Sequence, residues 1–364
     1  VKTLHPKIFG GILGDPNNSS HKKDMNQHNL SKFELVIVNL YPFESTIEQT
    51  KNINTCIENI DIGGPSLIRA AAKNFLSTAI VVDVNDYNKI LNEIKKYGGI
   101  SLSLRKILAV KAFKTTMKYD SIITNWMQDN FDSTESEDLT LLGKKITTLR
   151  YGENPHQRAS IYGLTKNNDL FYEKLNGKEL SYNNLNDLKL GIKLSAEFID
   201  PSCVIIKHAI PSSVAEAGDI FSAWKKAFNA DSLSAFGGVV IFNKTVDEKL
   251  AKTLINVFLE LIVAPNFTKK ALNIFSKKQN LRIIKIRNIK KIIKNYKQEF
   301  SLLPNCMLVQ DVDDQKVTVK NLKIVSKRKP SKRELEDLIF AFRIVKYVRS
   351  NAIVIAKNKT TIGI

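Results

Sequence analysis

Short apolar runs alternate with segments of helical periodicity along most of the chain. FELVIVNLYPF (33–43) is largely apolar and is ended by a proline, which is typical of a buried strand. IDIGGPSLIRAAAKN (60–74) continues with a Gly-Gly turn, a proline near the helix start and three alanines, which predicts a helix. TAIVVDV (78–84) is a second apolar run. Because strands and helices in alternation bury their faces by stacking in layers, we predict an α/β fold.

The same alternation gives a coarse map of the remaining chain. Residues 86–99 and 101–129 are predicted helices, and the polar, locally acidic residues 130–146 are interpreted as a linker. Beyond the linker, helices are predicted at 183–198, 219–228, 246–260 and 334–348, and strands at 203–208, 236–243, 281–286 and 351–357. No element is predicted for 287–322, where the pattern is poor.

Residues 188–207 and 338–357 resemble each other weakly. Each is a helical pattern followed by an apolar strand that ends in lysine. The pattern is compatible with an ancient internal duplication and with chance, and it leaves both open.

The chain is strongly basic. Its 55 Lys+Arg against 36 Asp+Glu give a formal net charge of +19, which suits a nucleic-acid partner or anionic small molecules such as phosphates and folates. Lysine and asparagine enrichment throughout the chain is the simpler explanation. Few aromatic residues accompany the basic runs at 285–297 and 323–333, so no base-stacking surface is indicated and no specific nucleic-acid partner is expected.

Composition excludes several other classes of protein. A 43% hydrophobic and 25% charged chain is neither largely disordered nor collagen-like. Cys56, Cys203 and Cys306 lie far apart without a CxxC motif, so neither a zinc site nor a disulfide framework is indicated, and a cytoplasmic location is expected. No apolar run approaches the roughly 18 residues of a membrane span, so no membrane partner is expected. Because the chain begins at Val1 and ends at Ile364 within an apolar stretch, we expect a fragment.

Two motifs in the first half combine cations, hydroxyls and glycines. VKTLHPKIFGGILG (1–14) places Lys2, Thr3, His5 and Lys7 before a predicted Gly-Gly turn, which suits either a phosphorylated ligand or an ordinary surface turn. IDIGGPSL places Asp61 and the Gly63-Gly64 pair at a helix N-terminus, where free N–H groups attract anions, with Lys73 about two turns further on. The simpler interpretation of the second motif is a structural turn followed by a solvated lysine.

Further polar motifs follow in the second half. CVIIKH (203–208) ends a buried strand with Lys207 and His208, and ligands of open α/β sheets collect beyond strand ends. A histidine beside a cation can stay neutral and act as a base, although a Lys-His pair is more often incidental. LRYGENPHQ (149–157) carries more hydrogen-bonding groups than packing needs. SYNNLND (181–187) and SAFGG (234–238) are similar in kind, with helix capping and a tight turn as alternatives.

Nine stretches taken together, in this order, resemble one family. It is the bifunctional purine-biosynthesis family, which joins an IMP cyclohydrolase domain to an aminoimidazole-carboxamide ribonucleotide (AICAR) formyltransferase domain. The stretches are VKTLHPKIFGGILG, NLYPF, ENIDIGGPSLIRAAAKN, LRYGENPHQ, NGKELSYNNLND, IIKH, SAFGG, FLELIVAP and SNAIVIAK. Each is modest alone, but nine in one order across nearly the whole chain are specific.

The resemblance implies a fold and a domain division. Residues 1–130 would be a methylglyoxal-synthase-like doubly wound domain that carries the cyclohydrolase and lacks its N-terminus. Residues 131–146 would be the linker. Residues 147–364 would be the formyltransferase, a cytidine-deaminase-like duplicated α/β domain with an incomplete second copy. The chain carries no zinc-ligand signature of a working deaminase.

The resemblance also implies the reactions and the partners. A formyl group would pass from 10-formyltetrahydrofolate, the cosubstrate, to the AICAR amine, giving FAICAR and tetrahydrofolate. Ring closure of FAICAR with loss of water would then give IMP. A homodimer is implied and no metal is expected, while binding of a monovalent cation is left open.

Site residues are carried over position by position. Lys207 and His208 would be catalytic in the formyltransferase, with His208 as the base and Lys207 stabilising charge. The nucleotide or folate pocket would include Arg150, Tyr151, Asn184, Phe236 and Asn351. In the cyclohydrolase, Lys2, Tyr41, Asp61 and Lys73 would be catalytic, and substrate would contact Thr3, Asn39, Gly63 and Gly64.

The chain departs from the family pattern in ways that favour a second hypothesis. The family continues Lys-His-x-Asn-Pro-Cys-Gly, whereas this chain has Ile210, Pro211, Ser212 and Ser213, and Ser213 would be strained if its position needs a positive φ. Asn305-Cys306-Met307 replaces a Gly-rich stretch. The family's Ser-Thr-Gly-Gly, Gly-Ala-Gly-Gln and Phe-Pro-Phe segments are not in the chain. An inactive remnant or scaffold of this family is therefore the alternative, and a basic nucleic-acid-binding protein is the third hypothesis.

Overall fold

The computed structural model describes residues 4–131, 138–164 and 169–364. The chain divides into two compact units between Leu142 and Gly143. The long helix that ends the first unit stops at Phe131, and the first strand of the second unit starts at Lys144. The domain boundaries that the resemblance implies remain a prediction.

The first unit is mostly helical around a small parallel sheet. Its helices are α1 (Pro6–Leu13), α2 (Ser19–Gln27), α3 (Phe43–Gln49), α4 (Ile53–Glu58), α5 (Gly63–Lys73), α6 (Tyr87–Tyr97) and α7 (Leu102–Phe131). Its strands β1 (Leu35–Ile37) and β2 (Ala79–Val81) pair in parallel. The predicted elements from 33 to 129 are present as β1, α5, β2, α6 and α7, with shorter strands than the apolar runs suggested. Two helices that were not predicted, α3 and α4, lie between β1 and α5. Helix α5 packs on the sheet and on α7 through Ile68, Ile80 and Ala112, which are fully buried.

The Gly10-Gly11 pair does not form the predicted turn. Both glycines lie inside α1, and a Cβ atom on Gly11 would come within 2.1 Å of the Ser31 carbonyl oxygen. The pair therefore allows close approach of the chain at 31–33 to the helix. At the N-terminus of α1, the His5 ring caps the helix because its Nδ1 accepts the Lys7 N–H at 3.2 Å.

The second unit is built on a six-stranded mixed sheet, and three two-stranded sheets accompany it. The strands of the whole unit are β3 (Lys144–Thr148), β4 (Ser160–Gly163), β5 (Glu173–Asn176), β6 (Ser202–Lys207), β7 (Ile210–Glu216), β8 (Val239–Phe242), β9 (Leu261–Ala264), β10 (Arg282–Lys285), β11 (Gln298–Leu303), β12 (Cys306–Asp311), β13 (Ile355–Ala356) and β14 (Thr361–Gly363). The sheet order is β5-β10-β9-β8-β6-β7. Strands β8, β9 and β10 run parallel, whereas β6 is antiparallel to both of its neighbours.

Helices cover both faces of this sheet. They are α8 (Tyr182–Ala196), α9 (Ile220–Ala230), α10 (Ser232–Ala235), α11 (Glu248–Leu254), α12 (Lys269–Phe275), α13 (Ile289–Lys294) and α14 (Lys332–Val345). Side chains alternate along β6, so Cys203 and Ile205 pack towards α9, α11 and α12, while Val204 and Ile206 pack towards α8, α13 and α14. The result is the three-layer α/β arrangement that the sequence predicted.

Two helix–hairpin units in this domain share one design. In the first, α8 precedes the hairpin β6–β7, and in the second, α14 precedes β13–β14. Both hairpins turn through two residues with positive φ, which are His208 (53°) and Ala209 (56°) in the first and Asn358 (54°) and Lys359 (53°) in the second. The corresponding residues are 150 positions apart along the chain, which gives the weak sequence echo a structural basis.

Two predicted elements differ from the structure, and one region without a prediction contains secondary structure. Of 246–260 only α11 is helical, and the missed strand β9 follows soon after it. Of 351–357 only Ile355–Ala356 is a strand. Residues 287–322, for which nothing was predicted, contain α13 and the hairpin β11–β12.

Two candidate active sites

The first candidate site surrounds Asp61 at the start of α5. Its Oδ1 accepts the Gly64 N–H at 2.7 Å and its Oδ2 accepts the Tyr41 N–H at 3.3 Å. The backbone N–H of Asp61 in turn donates to the Tyr119 hydroxyl at 2.8 Å, and burial raises the pKa of that hydroxyl. The chain's own carboxylate therefore occupies the helix N-terminus that the sequence offered to an anion.

Glycine is required beside this carboxylate. A Cβ atom on Gly64 would lie 2.4 Å from Asp61 Oδ2 and 2.8 Å from a methyl group of Leu40. The missing side chain at Gly64 thus allows the carboxylate to reach the helix backbone. Gly63 is also buried here, and Tyr41, 56% exposed, presents its ring to solvent.

The other predicted cyclohydrolase residues are not all brought to this point. Asn39 is exposed and lies two residues before Tyr41. Lys73 is exposed in the last turn of α5, about 15 Å along the helix axis from Gly63. Lys2 and Thr3 lie outside the described residues. The structure therefore gathers Tyr41, Asp61, Gly63 and Gly64 and leaves Lys73 at the opposite helix end.

The second candidate site lies at the turn of the β6–β7 hairpin. Lys207 ends β6, and its Nζ donates to the Phe236 carbonyl oxygen at 2.7 Å. The exposed His208 follows it in the turn. Because an ammonium group has three donors, Lys207 keeps donor capacity for a ligand.

A carboxylate that the sequence analysis missed supports the turn. Asp187 on α8 accepts the Ala209 N–H at 2.6 Å through Oδ1. Burial raises the pKa of this carboxyl group, whereas the Ala209 N–H and nearby His208 act to lower it. Asp187 is the last residue of the SYNNLND motif, so the motif was noticed but its residue in contact with the turn was not singled out.

A cleft of about 470 Å³ opens beside Lys207 and His208 where the two hairpins meet. It has the size of a small-molecule site. Asp231 and Ser234 line it as well, and hydrogen bonds from Ser234, with a smaller contribution from the Lys207 charge, lower the pKa of Asp231. The complete lining is Lys207, His208, Ile210, Pro211, Ser212, Ala230, Asp231, Ser234, Thr361, Ile362, Gly363 and Ile364. An imidazole, an ammonium group and a carboxylate thus line one cleft.

The other predicted formyltransferase residues lie elsewhere in the second unit. Arg150, Tyr151, Asn184, Phe236 and Asn351 do not line the cleft formed by the described residues. The Arg150 guanidinium lies over the Tyr151 ring, 5.2 Å from its centre. Asn184 is buried and forms a capping box with Ser181, as the alternative interpretation of its motif expected. The Phe236 ring packs on Phe258, and Asn351 is exposed before β13.

The substituted segment after His208 forms strand β7. Pro211 sits where a bulge interrupts the pairing with β6, on the edge strand of the sheet, which is where a strand tolerates proline. Ser213 is buried in the strand and is not among the described residues with positive φ, so the expected strain is absent. The consequence for the cleft comes instead from Ile210, a 42% exposed apolar side chain in its lining.

Two further features are absent from the ranges that the structure describes. Within these ranges, no group of three or more His, Cys, Asp or Glu residues is placed to hold a metal ion. In those same ranges, no helix is both long enough and apolar enough to span a membrane.

Comparison with known proteins identifies relatives along the whole chain. A family model described as MGS-like domain matches residues 2–66, and one described as AICARFT/IMPCHase bienzyme matches residues 71–364. Proteins named bifunctional purine biosynthesis protein PurH are similar over 100% of this chain and 72% of their own length. They include those of Thermoanaerobacter sp. (44% identical), Caldicellulosiruptor saccharolyticus (45%) and Bacillus subtilis (40%).

A crystal structure of ForH is 28% identical and covers 37% of this chain and 69% of its own, with a TM-score of 0.32, which is too low to support a fold argument. The two family models and the relatives confirm the resemblance and the predicted succession of two α/β domains. This chain belongs to the AICARFT/IMPCHase bienzyme family, with an MGS-like domain in its first part.

Proposed function

We propose that the protein acts in IMP biosynthesis. In the first step it transfers the formyl group of 10-formyltetrahydrofolate to the AICAR amine, giving FAICAR and tetrahydrofolate. In the second step it closes the ring of FAICAR with loss of water. The observation that carries the proposal is the placement of Lys207 and His208 at the rim of one cleft, in a chain of this family.

The chemistry of formyl transfer fits this pair. The AICAR amine is a weak nucleophile, so a base must take its proton as the new C–N bond forms. His208 takes that proton, and the proton passes to the folate nitrogen as the old C–N bond breaks. Lys207 stabilises the charge that develops on the formyl oxygen or at the departing nitrogen.

Ring closure uses the first unit. The amide nitrogen of FAICAR attacks the formyl carbon, and the formyl oxygen becomes a hydroxyl group. This hydroxyl group then leaves as water, with its two hydrogens supplied by the nitrogen atoms of FAICAR. In this proposal Tyr41 and Asp61 relay protons, and Lys2 and Lys73 stabilise charge. Asp61 also has a structural role in this proposal. Because its carboxylate accepts the N–H groups of Tyr41 and Gly64, it fixes the loop at Tyr41 against α5.

The proposal includes the partners and location that the resemblance implies. They are AICAR, FAICAR or IMP, and folate as small-molecule partners, a homodimer, and the cytoplasm. The three cysteines are unpaired, and two of them are buried, which fits a reducing compartment.

One observation favours a second candidate function, an inactive scaffold of this family. Ile210 brings an apolar side chain into the cleft at a position where the family has asparagine. An isoleucine offers no hydrogen bond to a polar ligand, so it weakens the site without disturbing the fold.

The test is a formyl-transfer assay of the protein with AICAR and 10-formyltetrahydrofolate, followed by the appearance of tetrahydrofolate. Wild-type protein should turn over, and His208→Ala should lower kcat by about 100-fold or more. Ring closure, measured with FAICAR, should be unchanged in that variant. A His208→Ala rate equal to wild type would reject the proposed base. AICAR binding without turnover, together with turnover gained in Ile210→Asn, would support the inactive scaffold.

A further inference from the structure

The conformation of the His208–Ala209 turn is unusual for its residues. Both have φ in the left-handed region, at 53° and 56°. Type I′ hairpin turns require this conformation at both central residues, and asparagine and glycine are the residues that adopt it readily. An alanine there is sterically disfavoured because its Cβ crowds the backbone. Something outside the turn must therefore stabilise it.

Asp187 supplies that stabilisation from the neighbouring helix. Its Oδ1 accepts the Ala209 N–H at 2.6 Å, and the bond is partly buried where α8 meets the hairpin. A hydrogen bond to a carboxylate is stronger than one between neutral groups. The bond joins α8 to the residue that directly follows His208.

The second helix–hairpin unit contains the same contact at an independent place. Asp337 on α14 accepts the Lys359 N–H at 2.7 Å and the Asn358 N–H at 2.9 Å. Asp337 follows Asp187 by the same 150 positions that separate the two turns. In both turns the second residue, Ala209 or Lys359, is disfavoured in the left-handed region, and in both the aspartate accepts its N–H.

We propose that Asp187 is a positioning residue for formyl transfer. By holding the Ala209 N–H, its carboxylate fixes the turn and thereby sets where the His208 ring enters the cleft. Asp187 lies outside the cleft lining reported above and acts through the backbone rather than on the substrate. The catalytic consequence rests on the proposed function, whereas the effect on the turn does not.

The turn itself is tested first, without reference to activity. In protein carrying isotope-labelled alanine, the Ala209 amide should exchange slowly with solvent and resonate downfield. Asp187→Ala should remove both features, and Asp187→Asn should keep the slow exchange because its amide oxygen still accepts. Asp247→Ala, which removes the acceptor of the Leu250 N–H at α11, is the matched control and should leave the Ala209 signal unchanged. An unchanged Ala209 amide in Asp187→Ala would overturn the proposal.

Formyl transfer is measured in the same variants. Asp187→Ala should lower kcat about 10-fold to 100-fold with little change in KM for AICAR, because a misplaced base slows the chemical step. Asp187→Asn should stay close to wild type. Asp187→Ala with Ala209→Gly should recover part of the loss, since glycine adopts the left-handed region freely.

Two results would contradict the assignment in the activity assay. Equal losses in Asp187→Asn and Asp187→Ala would show that the charge matters rather than the hydrogen bond. A loss of ring closure equal to the loss of formyl transfer would show general unfolding. If wild-type protein shows no formyl transfer, the proposed function fails, while the Ala209 amide still decides the effect on the turn.

Discussion

The two helix–hairpin units of the second domain share a backbone design and differ in what covers them. Cys203 and Ile205 in β6 are fully buried, because β6 lies inside the sheet and α9, α11 and α12 cover their face of it. The residues 150 positions later, Ile353 and Ile355, are 74% and 55% exposed. In the described residues β13 pairs only with β14. The same local pattern thus gives a core strand in one place and a half-covered strand in the other.

The two helix–hairpin units also contribute differently to the cleft. The turn of the first helix–hairpin unit carries Lys207 and His208, and the second helix–hairpin unit contributes the opposite wall of the cleft through 361–364. The two hairpins are joined edge to edge, since the Val214 N–H donates to the Thr361 hydroxyl at 2.9 Å. The first hairpin therefore places Lys207 and His208 at the cleft, and the second hairpin completes the wall of the cleft.

The greatest difference is expected between the matched isoleucines of β6 and β13, Ile205 and Ile355. Ile205→Ala should lower the free energy of unfolding by about 2–5 kcal/mol, because it leaves a cavity among fully buried side chains. Ile355→Ala should cost less than about 1 kcal/mol, since more than half of its side chain is already in water. Urea denaturation measures both. Equal costs would mean that Ile355 is covered in solution, which would remove the contrast between the units.

The next effect concerns two corresponding lysines. Lys207 ends β6, and Lys357 directly precedes the Asn358–Lys359 turn. Lys207→Ala should lower kcat for formyl transfer by about 10-fold to 100-fold, because a cation beside the reacting groups is lost. Lys357→Ala, the counterpart variant 150 positions later, should leave kcat nearly unchanged, since Lys357 is exposed and lies outside the reported cleft lining. The formyl-transfer assay compares them directly. A similar loss in both variants would contradict the division of roles between the units.

Sequence reasoning located helices such as α5, α7 and α8 and strands such as β2, β6 and β8, because their apolar periodicity is local information. It missed the short helices α1 to α4 and more than half of the described strands. It found β6 from CVIIK but not β7, because Pro211 and two serines look like a loop, and only the edge position of β7 makes that proline acceptable. It overextended the strand at 351–357, since apolar residues do not reveal whether a partner strand is present.

The candidate sites were predictable only in part for the same reason. Lys207 and His208 were found from a strand end, a local signal. The contact of Asp187 with the turn joins residues 22 positions apart and has no local signature. Likewise, the glycines at 63–64 correctly indicated a helix N-terminus, but the carboxylate of Asp61 occupies it. Which group fills a polar position depends on tertiary contacts, and the pattern of residue types does not specify them.

The smallest expected effect concerns the helix caps, where the two units differ in charge. Ser331 and Glu334 cap α14, with the Ser331 N–H donating to Glu334 at 2.8 Å, whereas Ser181 and the neutral Asn184 cap α8. Hydrogen bonds from Arg328, and then from Ser331, lower the pKa of Glu334 from 4.5 to about 2. The stabilisation is therefore complete above pH 4.5 and is lost as the pH falls towards 2.

Amide exchange at the two caps measures this difference. Protection of the Ser331 amide should fall between pH 4.5 and about 2, after correction for intrinsic exchange, while that of the Ser181 amide should stay constant. Glu334→Gln keeps an acceptor for the Ser331 N–H but does not titrate, so it should make the α14 cap behave like the α8 cap. A Ser331 amide that still loses protection in Glu334→Gln would place the titrating group elsewhere. The charge of one capping residue would then not explain the difference between the two units.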